Sequence, residues 1–282
     1  NFLYDLSPVL FPQYSHENTC RNFVSFLSAV YYHSDMVLFD SVSAEQDFLK
    51  IKKQIQLTRN IPTRVTGLGA DFSQKEQQIV RNEYKDYLEK KYILFVGTIE
   101  PRKDQEIVVD AFETLAKKYN DLNLILIGKQ GWNVDKFISK IYKHRLKDKK
   151  LFYFNDINDE ELSQFYKNAW IVVYLSKHEG YGLPIAEALS YGNIVVASKN
   201  SSMYEVGRNF SDYILYGSKN EIIDIISLYK DKPDIYEEKK EYIKNNFIPD
   251  SWDKIGCIIM NIFCQFPRSI EIKKSIKQDE FQ

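Results

Sequence analysis

From residue 92 onward, short apolar runs of strand length alternate with stretches whose apolar residues recur at helical spacing. The first run ends at Gly97, and Ile107, Ala111 and Leu115 then share one face of a predicted helix. Continuous apolar strands separated by helices are typical of a parallel sheet that is covered on both faces. The pattern therefore predicts a Rossmann-like domain. The other predicted strands are residues 122–128, 151–154, 170–175 and 194–197, and the helices between them are residues 134–145, 159–168 and 184–190.

The chain before residue 92 shows a different organisation. Residues 1–72 contain predicted helices at 19–32 and 43–53 and one predicted strand at 36–39, which is too little for a complete doubly wound domain. Because the chain also begins with Asn1 rather than Met, we expect a fragment with a truncated N-terminal α/β domain. The predicted organisation is a remnant of that domain at 1–72, a polar linker at 73–91, a Rossmann-like domain at 92–250 with final helices at 220–229 and 233–245, and a C-terminal helix and tail at 251–282.

Charge and cysteine content exclude several classes of protein. The 38 basic and 39 acidic residues give a net charge of −1, which argues against a nucleic-acid partner. Cys20, Cys257 and Cys264 have no metal-ligand spacing, so the sequence predicts neither a disulfide framework nor a zinc site and favours reduced thiols in the cytoplasm. The longest apolar stretch, at 255–263, is about half of the roughly 20 residues that cross a bilayer, so no membrane span is predicted.

One loop at the carboxyl end of a predicted strand, where ligands bind in such sheets, is rich in glycine. Glu179 follows the strand, and Gly180 and Gly182 admit backbone conformations and close approaches that a Cβ atom would prevent. Pro184 suits the first position of a helix, whose free N–H groups form a candidate anion site. Glu187 adds a second carboxylate. The alternative is a plain glycine-rich turn in which Glu187 is a favourable first-turn acid.

A second loop, after the first strand of the Rossmann-like domain, carries two adjacent cations. Arg102 and Lys103 lie between the end of that strand and the next helix, where they can hold a phosphate group. A polyanion could then bridge both loops. The alternative is a solvated basic turn in which these cations pair with Glu100 or Asp104.

Taken together, the segments VGTIEPRKDQEIVVDAF, FNDINDEELSQFYKNA and EGYGLPIAE resemble glycosyltransferase family 4, whose members are retaining enzymes of GT-B architecture. The resemblance is strong over residues 92–217 and weaker in YDLSPVLFPQY near the N-terminus. It implies an α/β fold of GT-B type, in which a Rossmann-like parallel-sheet C-terminal domain follows a truncated N-terminal α/β domain.

The resemblance also implies roles for individual residues. Arg102 and Lys103 are expected to bind the diphosphate of a nucleotide sugar and to stabilise charge on the leaving group. Glu179 is expected to contact the donor sugar, and Glu187 the ribose hydroxyls. Independently of the resemblance, the position of His178 beside Glu179 makes it a further candidate for substrate contact. The remaining donor-binding positions that the resemblance implies are Gly180, Gly182, Leu183, Phe154 and Asn155.

Two positions depart from the family pattern. Thr98 stands where many relatives have a phosphate-binding arginine, and Tyr4 stands where they have a histidine before the aspartate. We interpret both as variation within the family, with Arg102 in the place of the missing arginine.

The function implied is transfer of a hexose, with mannose suggested by the EPRK-type loop, from a nucleotide diphosphate sugar to a growing surface glycan. No metal and no other cofactor is expected. The expected partners are the donor and a glycan or lipid-linked glycan acceptor, without nucleic acid, in the cytoplasm or peripherally at a membrane. The alternatives are a non-catalytic nucleotide-sugar-binding module of a larger protein and a GT-B sugar-nucleotide epimerase.

Overall fold

The structure, a computed structural model, describes residues 1–71 and 81–265. Residues 1–71 form a small N-terminal unit around a parallel sheet with strand order β1-β2-β3. Its core includes Phe39, Phe48 and Tyr31, and the rings of Tyr31 and Phe48 stack with centroids 4.5 Å apart. The elements of this unit are β1 (Phe2–Leu3), α1 (Ser7–Leu10), a 3₁₀ turn (Pro12–Tyr14), α2 (Glu17–His33), β2 (Val37–Phe39), α3 (Val42–Gln54) and β3 (Thr63–Val65).

Residues 81–246 form a large domain around a parallel sheet with strand order β6-β5-β4-β7-β8-β9. Its central strands are buried along almost their whole length, as their apolar sequences predict. The elements are α4 (Asn82–Leu88), β4 (Lys91–Val96), a 3₁₀ turn (Pro101–Lys103), α5 (Gln105–Lys118), β5 (Leu122–Ile127), α6 (Asp135–Tyr142), β6 (Leu151–Phe154), α7 (Asp159–Asn168), β7 (Ile171–Tyr174), α8 (Leu183–Ser190), β8 (Ile194–Ser198), α9 (Met203–Gly207), β9 (Asp212–Ile214), α10 (Lys219–Asp231) and α11 (Pro233–Asn246).

The chain reverses its direction of travel across the large sheet between β4 and β7. From β4 the sheet extends through β5 to β6 on one side, and through β7 and β8 to β9 on the other side. In open α/β sheets, ligands bind in the crevice outside the carboxyl ends of the strands at such a reversal. The fold therefore predicts a ligand site at the loops that follow β4 and β7.

Part of the predicted linker at 73–91 is regular structure. Residues 73–80 lie outside the described residues, but α4 and the start of β4 fall within the predicted linker. Tyr84 on α4 is buried, with its ring 5.1 Å from that of Phe154, and Arg81 pairs with the carboxylate of Glu161 at 2.6 Å. These contacts attach residues 81–91 to the large domain, so this part of the segment is not a free linker.

A last helix, α12 (Trp252–Gln265), connects the large domain back to the N-terminal unit. The backbone N–H of Ala70 donates to the carbonyl of Asp250 at 2.8 Å, and that of Trp252 donates to Asp71 at 2.8 Å. The predicted tail beyond Gln265 lies outside the described residues. Within the described stretches, none of the helices has both the length and the apolar character needed to cross a membrane.

Candidate functional site

The loops after β4 and β7 lie side by side at the reversal of the sheet. The backbone N–H of Lys177, in the second loop, donates to the carbonyl of Arg102, in the first, at 2.7 Å. The guanidinium Nη1 of Arg102 also donates to the carbonyl of His178 at 2.7 Å. The two loops that the sequence singled out therefore form one continuous surface.

Arg102 is held in an ion-pair network within this surface. Its Nη1 lies 2.6 Å from a carboxylate oxygen of Glu179, and its Nε donates to Glu100 at 2.8 Å. The side chain is only 16% exposed. The pairing with Glu100 that the sequence left as an alternative is present, but it occurs together with the contact to Glu179. Arg102 thus positions one of the two glutamates of the glycine-rich loop.

Lys103 is the neighbouring cation, and its ammonium group is not paired with any side chain in the described part of the protein. The residue is 8% exposed, and Nζ lies under Gly97, 3.0 Å from where a Cβ atom of that residue would be. The distance from Nζ of Lys103 to the centroid of the Tyr174 ring is 5.8 Å. Across residues 1–71 and 81–265, no hydrogen bond or ion pair to Nζ is found, so this charge remains for an anion at the carboxyl end of the sheet.

Glu179 is a buried carboxylate that stays ionised. Burial alone would raise its pKa, but the charges of Arg102 and Lys103, together with hydrogen bonds from Arg102 and Tyr174, outweigh that effect and lower the pKa below its usual value. The hydroxyl of Tyr174, at the end of β7, donates to the same carboxylate at 2.9 Å. The site therefore holds a fixed negative charge next to the unpaired lysine.

Glu187 on α8 has a contrasting environment. Burial raises its pKa, although a hydrogen bond from the hydroxyl of Tyr166, at 2.7 Å, opposes the rise. Tyr166 is fully buried, and its own pKa is raised by burial and then by the charges of Glu187 and Tyr174. Two buried tyrosines, Tyr166 and Tyr174, thus orient one glutamate each.

The helix α8 begins beside these carboxylates. Gly182 caps it with φ = +97°, a left-handed conformation that favours glycine, and Leu183 is the first helical residue. Pro184 is the second, one position later than the sequence predicted. The N–H groups of the first turn have no intrahelical acceptor, so the start of α8 can contribute to anion binding together with Lys103.

Residues 76–247, more than half of the chain, match the family described as "Glycosyl transferases group 1". The chain belongs to this family. The resemblance to glycosyltransferases is confirmed at this level, while assignment to family 4 stays a prediction.

The curated relatives of this group 1 chain include the serotype-specific mannosyltransferase WbdA of Escherichia coli. One WbdA sequence is 32% identical over 195 residues, covering 66% of this chain and 24% of WbdA. Another is 29% identical over 267 residues, covering 92% of this chain and 32% of WbdA. The chain thus spans about a quarter to a third of the length of these relatives.

Solved structures of similar fold confirm the predicted GT-B type α/β architecture. Anabaena HepE in complex with UDP and glucose matches with a TM-score of 0.69 at 18% identity, covering 94% of this chain and 70% of HepE. A trehalose-6-phosphate synthase studied for glycosyl transfer with retention matches with a TM-score of 0.66 at 16% identity, covering 95% of this chain and 68% of that protein.

Two of the predicted donor-binding positions, Phe154 and Asn155, lie at the end of β6. Phe154 is half-buried, and its ring packs against those of Tyr84 and Tyr87 at 5.1 Å each. Asn155 is exposed. Phe154 therefore belongs to an aromatic cluster that supports the end of the strand. Asn155, in contrast, is accessible to solvent.

His178 has a role that the sequence did not predict. Its Nδ1 lies 2.9 Å from the hydroxyl of Ser7, and its Nε2 lies 2.7 Å from the carboxylate of Asp47. The residue is only 6% exposed. Because both ring nitrogens contact the N-terminal unit, His178 joins that unit to the glycine-rich loop and is not available for the substrate contact considered above.

Gly180 is the point where the backbone of the N-terminal unit comes closest to this loop. A Cβ atom added to Gly180 would lie 2.0 Å from the carbonyl oxygen of Tyr4. We expect Gly180→Ala to lower the free energy of unfolding by about 1–3 kcal/mol, because backbone must move to relieve the overlap. Urea denaturation measures this. The control is Gly256→Ala in α12, where a Cβ atom meets nothing within 4 Å; equal effects of both substitutions would contradict the packing argument.

Proposed function

We propose that the chain carries the donor-binding and catalytic part of a retaining glycosyltransferase. The enzyme would move a hexosyl unit, mannose in our proposal, from a nucleotide diphosphate sugar to a growing surface glycan. It would act in the cytoplasm or peripherally at a membrane, on a glycan or lipid-linked glycan acceptor. The single observation that carries the proposal is that Lys103, which has no partner among the described residues, lies close enough to the Arg102–Glu179 ion pair for its charge to lower the pKa of Glu179.

Each part of this arrangement suits one part of a nucleotide sugar. The diphosphate would lie against Lys103 and the first turn of α8, where charge and free N–H groups are directed at it. Glu179, fixed by Arg102 and Tyr174, would accept hydrogen bonds from the sugar hydroxyls. Glu187 would accept hydrogen bonds from the ribose hydroxyls, and Asn155 would lie near the base of the nucleotide.

The reaction breaks the bond between the anomeric carbon and a phosphate oxygen. Negative charge then develops on the departing diphosphate, and a cation that is already in place stabilises it without reorganisation. Lys103 supplies this charge in our proposal, so that no metal ion is needed. The acceptor hydroxyl forms the new glycosidic bond on the face that the diphosphate leaves, and its proton passes to the phosphate oxygen that departs from the anomeric carbon.

Mannose is the proposed sugar because the WbdA relatives are mannosyltransferases, and the nucleotide diphosphate donor is supported by the UDP complex of HepE. Retention is supported by the likeness to the trehalose-6-phosphate synthase. Cys257 and Cys264 are exposed and unpaired, which suits a reducing compartment.

The test combines binding with product analysis. The protein is titrated with GDP and UDP by calorimetry, and is then incubated with GDP-mannose or UDP-glucose and an α-linked oligomannoside. A longer oligomannoside supports the proposal. Nucleotide binding with no turnover would favour a non-catalytic module, and an epimerised nucleotide sugar without an extended acceptor would favour an epimerase.

Glu187→Ala is expected to weaken binding of the nucleotide about tenfold, which corresponds to about 1.4 kcal/mol. The substitution removes a carboxylate that the hydroxyl of Tyr166 holds in place. The control is Glu113→Ala, which removes a carboxylate paired with Arg145 on the surface. Calorimetry with GDP and UDP measures both variants, and an unchanged affinity in folded Glu187→Ala would refute the role given to Glu187.

A further inference from the structure

Residues 178–181 of the glycine-rich loop are anchored on the N-terminal unit. Three of these four residues approach that unit, namely His178 through its imidazole, Gly180 through its backbone beside the carbonyl of Tyr4, and Tyr181 through its hydroxyl, which donates to the carbonyl of Leu68 at 3.2 Å. The fourth residue is Glu179, the proposed sugar contact. The position of Glu179 therefore depends on contacts between the large domain and the N-terminal unit.

The imidazole of His178 makes the most specific of these contacts. Its Nδ1 lies 2.9 Å from the hydroxyl of Ser7 on α1, and its Nε2 lies 2.7 Å from the carboxylate of Asp47 on α3. The ring centroid is 5.2 Å from that of Phe11. Because a carboxylate can only accept hydrogen bonds, Nε2 carries the hydrogen that joins His178 to Asp47.

The helix α3, which carries Asp47, is held by the large domain at a second point. Both carboxylate oxygens of Glu205 on α9 accept N–H groups at the start of α3, from Val42 at 2.9 Å and from Ser43 at 2.7 Å. The free N–H groups and the dipole at the start of a helix favour such a carboxylate. Asp47 therefore offers His178 an acceptor whose position is fixed relative to the loop.

A single peptide group lies between His178 and Glu179, and it is hydrogen-bonded on both sides. The carbonyl of His178 accepts from Nη1 of Arg102 at 2.7 Å and from the hydroxyl of Ser176 at 3.0 Å. The N–H of Glu179 donates to the hydroxyl of Ser201 at 3.1 Å. Because this peptide is held at both ends, a displacement of His178 also displaces Glu179. Groups that bind a ligand have to be held within about 0.5 Å of their productive geometry.

We propose that His178 is a positioning residue for recognition of the donor sugar. Through its bond to Asp47, it fixes the adjacent Glu179 against the N-terminal unit. The inference rests on the proposed function for the role of Glu179 as the sugar contact. Glu187, the proposed ribose contact, is held by Tyr166 within the large domain. Loss of the bond between His178 and Asp47 should therefore weaken binding of the sugar and spare binding of the nucleotide.

The test compares a sugar nucleotide with its own nucleoside diphosphate, by calorimetry on the whole chain. The pair is GDP-mannose with GDP or UDP-glucose with UDP, whichever the wild-type protein binds. Asp47→Ala removes the acceptor from the opposite unit, and His178→Phe keeps a planar ring but neither hydrogen bond. Each variant should lose about tenfold in affinity for the sugar nucleotide, the scale of one hydrogen bond to a charged group, and keep its affinity for the nucleoside diphosphate within about twofold.

Further variants separate positioning from a general loss of structure. His178→Gln should restore most of the affinity, because its amide nitrogen is as many bonds from the main chain as Nε2 and donates to Asp47. His178→Phe should add little to Asp47→Ala, because both substitutions remove the same bond. The matched control is His33→Phe, at an exposed position at the end of α2, which should leave both affinities unchanged.

Three results would overturn the inference. Folded Asp47→Ala and His178→Phe could both keep the affinity for the sugar nucleotide, both could lose affinity equally for the sugar nucleotide and the nucleoside diphosphate, or the wild-type protein could bind no sugar nucleotide. A failure of the proposed function alone looks different. In that case the variants lose the sugar nucleotide as expected, yet the wild-type protein transfers no sugar to an oligomannoside.

Discussion

Lys103→Met is expected to lower the turnover number by about 10²–10³-fold, the effect of removing one preorganised charge-stabilising group. Methionine has nearly the same length and shape as the lysine stem, so the space under Gly97 stays filled and only the ammonium charge is lost. Since Nζ of Lys103 has no protein partner within the described residues, its removal leaves no buried carboxylate newly unpaired. The measurement is kcat with the sugar nucleotide that the wild-type protein uses.

The control is Lys118→Met. Lys118 is the last residue of α5, the helix that begins two residues after Lys103, and it pairs with Asp231 on the surface. At 1.5 Å per residue, these two lysines are about 20 Å apart. The control should keep kcat within about twofold. A Lys103→Met variant that folds, binds the nucleotide and keeps its kcat would remove Lys103 from the mechanism.

Long buried strands explain why so much of the large domain could be predicted. The strands β4 and β5 are six residues each and almost entirely buried, so their sequences are continuous apolar runs bounded by glycine. The strands β1, β3 and β9 have two or three residues and are partly exposed, which leaves no such run. The predicted elements after residue 92 agree with the observed bounds within three residues.

The site was predictable where it depends on topology within one domain. The loops of Arg102 and Glu179 follow neighbouring strands of a parallel sheet, so their meeting follows from the strand order. Contacts between the N-terminal unit and the large domain have no comparable sequence signal. The bonds of His178 to Ser7 and Asp47 depend on how the units pack, and the only hint was the lack of a side chain at Gly180, beside Tyr4.

The second large effect expected concerns stability. Arg102→Met should lower the free energy of unfolding at neutral pH by about 3–5 kcal/mol, the usual result of removing one partner from a buried ion pair. The side chains of Arg102 and Glu179 are 16% and 11% exposed, so water cannot replace the missing guanidinium well. Urea denaturation at pH 7 measures the loss.

The pH dependence of that loss identifies its cause. In the wild-type protein the pKa of Glu179 is held below its ordinary value of 4.5, so its ionised form stabilises the fold above about that pH. This contribution disappears as the pH falls through the lowered pKa. The difference between wild-type and Arg102→Met stability should therefore be largest above pH 4.5 and shrink at lower pH.

A second substitution separates charge from packing. Glu179→Gln in the Arg102→Met background removes the unpaired charge and keeps an oxygen for the hydroxyl of Tyr174. If the uncompensated carboxylate causes the loss, the double variant is more stable than Arg102→Met alone, because a neutral amide is less unfavourable to bury than an ion. A double variant that is less stable would mean that Arg102 stabilises the loop through its bonds to Glu100 and the carbonyl of His178 rather than through Glu179.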